Sequence, residues 1–277
     1  MVAINKLHRI IIVLLLVCFI CVFSGLVTSI GFQRIGIAND TGFSLLIGFS
    51  FCLLVFLLIA KCFQLVDLLS EKACLIISLL ILTLIAGVFT LVSFSARVTQ
   101  FSDSLDVMDS ALYLSKHGEL SENLPYIKYV GCFGNNYPQI LIQSYLIKKL
   151  IQLGVQDVEN VLNHLNVIVL VAAIIVTWLI VKETRGIRAA TKTVFICLLN
   201  PYLYLIVNWT YTMTYSMPIM MGMLYVVLHM KGKKLALGGV VLALFEGVLI
   251  GVGFLIRPTS IFPLIVAIIV WQPFTKK

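Results

Sequence analysis

Three carboxylates stand three residues apart, at Asp103, Asp106 and Asp109. On a helix, positions i and i+3 share a face, so Asp103 and Asp106 lie together while Asp109 drifts round the cylinder. Ser102 and Ser104 bracket Asp103, and short polar residues of this kind suit a helix start, where they cap exposed amides. Two readings stand side by side. One is capping and solvated helix charge. The other is a carboxylate at a membrane surface that takes a proton from an acceptor hydroxyl as a general base.

Three further groups carry possible chemistry. Asn135-Asn136-Tyr137-Pro138 reads as a helix opening with Pro in its first turn, and such an end can also face an anion. Asn208-Trp209-Thr210-Tyr211 is a short turn of aromatics, hydroxyls and an amide. It reads as an interfacial aromatic belt or as a surface for sugar contact. Asn208-Trp209-Thr210 also fits the N-glycosylation pattern, but it hugs the membrane, so no modification is expected. Arg257-Pro258 sets one guanidinium between two apolar runs. It either snorkels to headgroups or binds a phosphate, for which a planar fork of donors is suited. Glu246 is the one acid inside an apolar run. A charge there costs roughly 2.5–3.5 kcal/mol on insertion scales, so it is expected to face protein or water, where a Lys or His from another helix could pair with it.

The elements that must carry these residues follow from composition. Of 277 residues, 61% are hydrophobic and 12% charged, with a mean hydropathy of +1.08. A soluble domain carries about 25% charged residues. Ile10–Ile30 contains no charge at all, and about 20 apolar residues are what a helix needs to cross a bilayer. The expected fold is therefore all-α and integral to the membrane. Disordered, collagen-like and disulfide-rich classes are excluded by the same numbers. The net charge of +8 does not imply a nucleic-acid partner, because no basic stretch is both long and soluble. Cys18 and Cys21 form a CxxC inside an apolar run with no His or acid nearby, and read as packing residues. No His/Asp cluster has metal-ligand spacing, so no metal site is assigned, while a divalent cation stays open as a cofactor.

Apolar length gives about eight spans, near 9–30, 43–62, 73–96, 161–181, 189–207, 211–230, 235–255 and 259–273. The first is longer than a signal-peptide core and lacks a convincing cleavage site, so it is expected to stay as an anchor. Between the third and fourth spans lies one outer loop, 97–160, with two interfacial amphipathic helices at 105–116 and 137–153. Basic residues orient the whole. With the amino terminus inside, 13 of 20 Lys and Arg fall on cytoplasmic ends, and 8 of 12 acids fall outside. Both termini are then cytoplasmic, and the plasma membrane is the expected location.

A larger pattern carries a resemblance. Asp103 is followed by Ala111-Leu112-Tyr113 and, fifteen residues on, by Gly118. Asn136-Tyr137-Pro138 opens a second surface helix. Lys182-Glu183-Thr184-Arg185 makes a basic turn, and the Gly-rich run from Gly251 closes on Arg257-Pro258-Thr259. In this order the motifs resemble the polytopic glycosyltransferases of the GT-C type, in particular bacterial relatives of protein O-mannosyltransferases and aminoarabinose transferases. The likeness covers about 75–265. Residues 1–72 then form an added N-terminal transmembrane hairpin region, and 73–277 a partial GT-C-like core that lacks a carboxyl-terminal half. Ser104 stands where the family often has a second acid.

The resemblance implies transfer of a sugar from a polyprenyl-phosphate-linked donor to an unidentified acceptor on the outer face, with membrane lipid as partner. By the same match Asp103 takes the catalytic-base position and Arg257 a donor-phosphate position. Asp106, Asn136, Tyr137, Asn208, Tyr211 and Glu246 are the other candidate site residues. The alternatives are a non-catalytic or degenerate paralogue and a lipid or small-molecule transporter, which needs polar or broken helices near the midplane.

Overall fold

Long apolar runs leave the backbone amides no partner but their own chain, and that selects helix. The computed structural model describes residues 41–95, 103–121, 127–230 and 237–265, and every regular element among them is helical. The chain divides into two compact units, Met1–Leu69 and Ser70–Lys277. In the first, α1 (Thr41–Leu68) is a 28-residue helix whose charged residues are Lys61 and Asp67.

The second unit contains the rest. Helix α2 is Glu71–Ser95, α3 is Asp103–His117 and α4 is Ile127–Cys132. A single 3-10 turn, Gly134–Asn136, leads into α5 (Tyr137–Gln152). Then come α6 (Val158–Arg185), α7 (Ile187–Leu199), α8 (Pro201–Leu205), α9 (Thr212–Met230) and α10 (Leu237–Ile256). A last 3-10 turn spans Pro258–Ile261.

Among the described residues, three helices are long and apolar enough to cross a membrane: α2, α6 and residues 238–256 of α10. At 1.5 Å per residue they extend about 28 to 42 Å, against a hydrocarbon core of about 30 Å. Three such helices in one chain indicate a membrane protein. Helix also covers 43–62, 212–230 and the expected surface-helix stretch 105–116. The first expected span, 9–30, lies outside the described residues, as does most of 259–273.

One expectation is corrected. The stretch 189–207 is not a continuous helix: α7 stops at Leu199 and α8 restarts at Pro201. Asn200 adopts an extended conformation, as a residue before Pro prefers, and its side chain accepts a hydrogen bond from the Tyr202 amide at 3.1 Å. The 13 residues of α7 extend only about 20 Å.

Two separate cores hold the second unit together. In the longer helices, Ile85 and Phe89 of α2 pack with Leu170, Ile174 and Trp178 of α6 and Val194 of α7. Hydrogen bonds cross the same interface: the Ser78 and Thr191 hydroxyls lie 2.9 Å apart, and Thr191 Oγ1 donates to the Cys74 carbonyl at 3.1 Å. Small hydroxyl residues let membrane helices approach in this way. The second core joins the two surface helices. Val107, Met108 and Ala111 of α3 meet Ile140 and Ile147 of α5 and Leu162 of α6, all at most 2% exposed. Leu141 and Tyr145 face the other way and are exposed, so α5 is apolar on both faces.

Candidate functional site

Asp103 is the first residue of α3 and is exposed. The helix is polarised as its dipole favours, with Asp103 and Asp106 in the first turn and Lys116 and His117 in the last. Gly118, at φ 82°, ends it and donates from its amide to the Leu114 carbonyl at 2.9 Å. The helix is anchored by its buried face (Val107, Met108, Ala111) on α5, which leaves its amino end beside the turn after α8.

At that end four side chains from four segments meet. The Tyr211 hydroxyl donates to Asp103 Oδ2 at 3.4 Å. The Tyr129 and Tyr211 hydroxyl oxygens lie 3.0 Å apart. Asn136 Nδ2 donates to Tyr129 Oη at 2.7 Å and, more weakly, to Tyr211 Oη at 3.4 Å. An amide nitrogen can only donate. Since Tyr211 gives its proton to Asp103, its oxygen accepts from Tyr129, whose oxygen accepts from Asn136. Tyr129 also faces Asp103 directly, so both phenols converge on the carboxylate, with Asn136 donating from behind.

The electrostatics agree with that arrangement. Burial, then the Tyr211 hydroxyl, then the Asp103 carboxylate hold Tyr129 well above the ordinary phenol value, so it stays a neutral donor. Burial and then the charge of Asp103 raise the Asp106 carboxyl above its usual value, and burial and then Asp106 raise Asp109. The i, i+3 spacing thus couples the acids in pairs along the helix, as the spacing alone suggests.

The turn that presents Tyr211 is fixed from below. Asn166, fully buried on α6, donates from Nδ2 to the carbonyls of Ile206 at 2.9 Å and Val207 at 2.7 Å. Thr214 Oγ1 donates to the Trp209 and Tyr211 carbonyls at 3.1 and 2.8 Å. From the side, Gln139 Nε2 on α5 donates to the Thr210 carbonyl at 3.3 Å. These contacts hold an otherwise irregular segment in one shape.

Of the candidates read from the sequence, the structure brings Asp103, Asn136 and Tyr211 together, with Asp106 one turn further along α3. Tyr137 is exposed and lies outside this hydrogen-bond chain, and Asn208 is buried in the adjoining turn. Arg257 is half-buried at the end of α10, where its Nε donates to Thr259 Oγ1 at 3.0 Å. Helix α10 packs against the Gly134–Asn136 turn and α5, but among the described residues no hydrogen bond or ion pair links Arg257 to Asp103. Glu246 is 7% exposed, and neither of its oxygens has a partner among the described residues. No group of three His, Cys, Asp or Glu among the described residues could hold a metal ion.

Two contributors are not among the candidates. Tyr129 gave no signal, since a tyrosine in a loop is common. Asn166 did give one: it is a polar amide within an apolar run, the kind of residue that marks a function or an anchor in a membrane helix.

Comparison with known proteins yields no match to a family model, to a curated protein or to a solved structure.

Proposed function

We propose that this chain is a multi-pass membrane glycosyltransferase of the GT-C type, moving a sugar from a polyprenyl-phosphate donor to an acceptor at the outer face of the plasma membrane. In this reading there are eight crossings, the fifth made by the broken segment α7–α8, which puts both termini in the cytoplasm and the loop 97–160 outside. A lipid-phosphate sugar is already activated, because its leaving group is a phosphate. What remains is to deprotonate the acceptor hydroxyl and to stabilise charge on the departing phosphate. Asp103 is the base, and Arg257 is the cation beside the phosphate.

The observation that carries the reading is the hydrogen bond from Tyr211 to Asp103, backed by Tyr129 and Asn136. It orients a carboxylate at the amino end of a surface helix, and an oriented carboxylate is the first requirement of a general base. The packing of α10 on the Asn136 turn supports Arg257 as a neighbour of the site. The test is to incubate membranes containing the protein with radiolabelled polyprenyl-phosphate sugars and follow the label. Its appearance in a lipid-free or newly glycosylated fraction supports transfer; label that never leaves the donor contradicts it.

One observation favours a second reading, transport of a lipid or small molecule. Glu246 is a buried carboxyl in an apolar helix with no partner at either oxygen among the described residues, as a translocation pathway requires. Uptake of labelled donor into sealed vesicles without chemical transfer is the outcome that selects it.

A further inference from the structure

Beneath the Asp103–Tyr211–Asn136 group lies a layer of buried polar side chains, four of whose atoms have no partner among the described residues. Gln139 and Gln143 are one turn apart on the same face of α5, 3% and 2% exposed. Gln139 uses Nε2 on the Thr210 carbonyl, and its Oε1 has no partner. Gln143, beside the Tyr215 hydroxyl, has both Oε1 and Nε2 outside hydrogen-bonding geometry. Thr210, 0% exposed, has an unpartnered Oγ1. Buried polar groups are nearly always satisfied, because one left alone forfeits its hydration with nothing in return. Four such atoms on facing segments are therefore a place prepared for something else.

Their chemistry narrows what that is. Two are carbonyl oxygens that only accept, one is an amide that only donates, and one is a hydroxyl that does both. A phosphate, which only accepts, leaves the two carbonyl oxygens unmet. An ammonium, which only donates, leaves the amide unmet. Hydroxyl groups donate and accept, so a polyol satisfies the whole set. The layer also adjoins the site directly: Thr210 precedes Tyr211, and Asn136 stands one turn before Gln139.

We propose that Gln139, Gln143 and Thr210 form the subsite that takes the hydroxyl groups of the donor's sugar ring, below the carboxylate of Asp103. This rests on the glycosyltransferase reading and adds where the sugar sits. It makes Gln143 and Thr210 determinants of sugar binding and leaves the phosphate and prenyl chain to other residues.

The test compares two probes on the full-length protein in lipid nanodiscs: a polyprenyl phosphate, and a panel of the same lipid carrying glucose, mannose, galactose or aminoarabinose. The expected result is that wild type binds at least one sugar-bearing lipid more tightly than the bare phosphate. Gln143→Leu then weakens that lipid about tenfold, the loss of one or two hydrogen bonds, while bare polyprenyl phosphate changes less than about twofold. Thr210→Val, nearly isosteric, gives the same split should Gln143→Leu fold poorly. Equal weakening of both probes, no weakening of either, or no preference for sugar in wild type overturns the subsite while leaving a donor-lipid enzyme in place. Wild type that binds neither probe overturns the glycosyltransferase reading and the subsite with it.

Discussion

A single amide, Asn166, does more to shape the site than most residues within it. It donates to the Ile206 and Val207 carbonyls from the fully buried face of α6, so it sets where Tyr211 begins. Asn166→Ala strands the Val207 carbonyl, at a cost of about 1–3 kcal/mol, and leaves the Ile206 carbonyl with only the Trp209 amide. The expected outcome is a lower unfolding temperature in detergent together with loss of the Tyr211–Asp103 contact. A variant as stable as wild type contradicts the clamp. Asp106 offers a pH-dependent counterpart. Its carboxyl is raised from an ordinary 3.8 by burial and then by Asp103, so the fold holds that proton more tightly than the unfolded chain does. The stability this contributes is complete below 3.8 and is lost as pH rises through the raised value. Asp106→Asn is therefore expected to raise the unfolding temperature at pH 7, with the gain shrinking to nothing in acid below 3.8. Thermal scans across pH check the sign.

At the scale of elements, close helix packing makes its own demand. A Cβ on Gly253 of α10 would meet Met223 Cε at 2.5 Å, Ser260 Oγ at 2.8 Å and Ile219 Cγ2 at 3.1 Å. Gly253→Ala is thus expected to cost about 1–3 kcal/mol by overpacking. Gly247→Ala on the same helix meets nothing within 4 Å and should be neutral or slightly stabilising. Equal effects of the two changes on detergent stability contradict this packing. The elements themselves were largely legible. Apolar length located α2, α6 and α10, and the amphipathic rhythm located α3 and α5, because both signals are local. The break at Asn200–Pro201 was legible too, since proline disfavours helix in the residue before it. Reading 189–207 as one span gave apolar length priority over that rule. Partners were another matter. The contact from Tyr211 to Asp103 joins residues 108 positions apart, and nothing in either local sequence specifies it. The acids, the Asn136 turn and the Tyr211 turn could be picked out one by one, but only packing brings them together and adds Tyr129.

For the whole molecule, the proposed topology makes two layers, the helices long enough to cross a bilayer in lipid and the core of α3 and α5 in water. The proposed orientation puts the second layer outside the cell. Cys132, exposed as the last residue of α4, is a native reporter of it. A membrane-impermeant thiol reagent applied to intact cells should label the protein, and Cys132→Ser should abolish most of that label. Labelling that appears only after the membrane is opened contradicts the orientation. Composition decided the membrane character of the chain, because a 12% charged fraction cannot clothe a soluble surface. It had no bearing on the proposed chemistry, which rests on a few polar side chains beside α3 and α5.

The most direct measurement is sugar transfer by membranes containing wild type or Asp103→Asn, at matched protein levels and with insertion verified. General-base catalysis contributes about 10²–10⁴-fold. Transfer should therefore fall by at least about a hundredfold, while the unfolding temperature and donor-lipid binding stay close to wild type. An Asp103→Asn protein that transfers sugar at the wild-type rate contradicts the account.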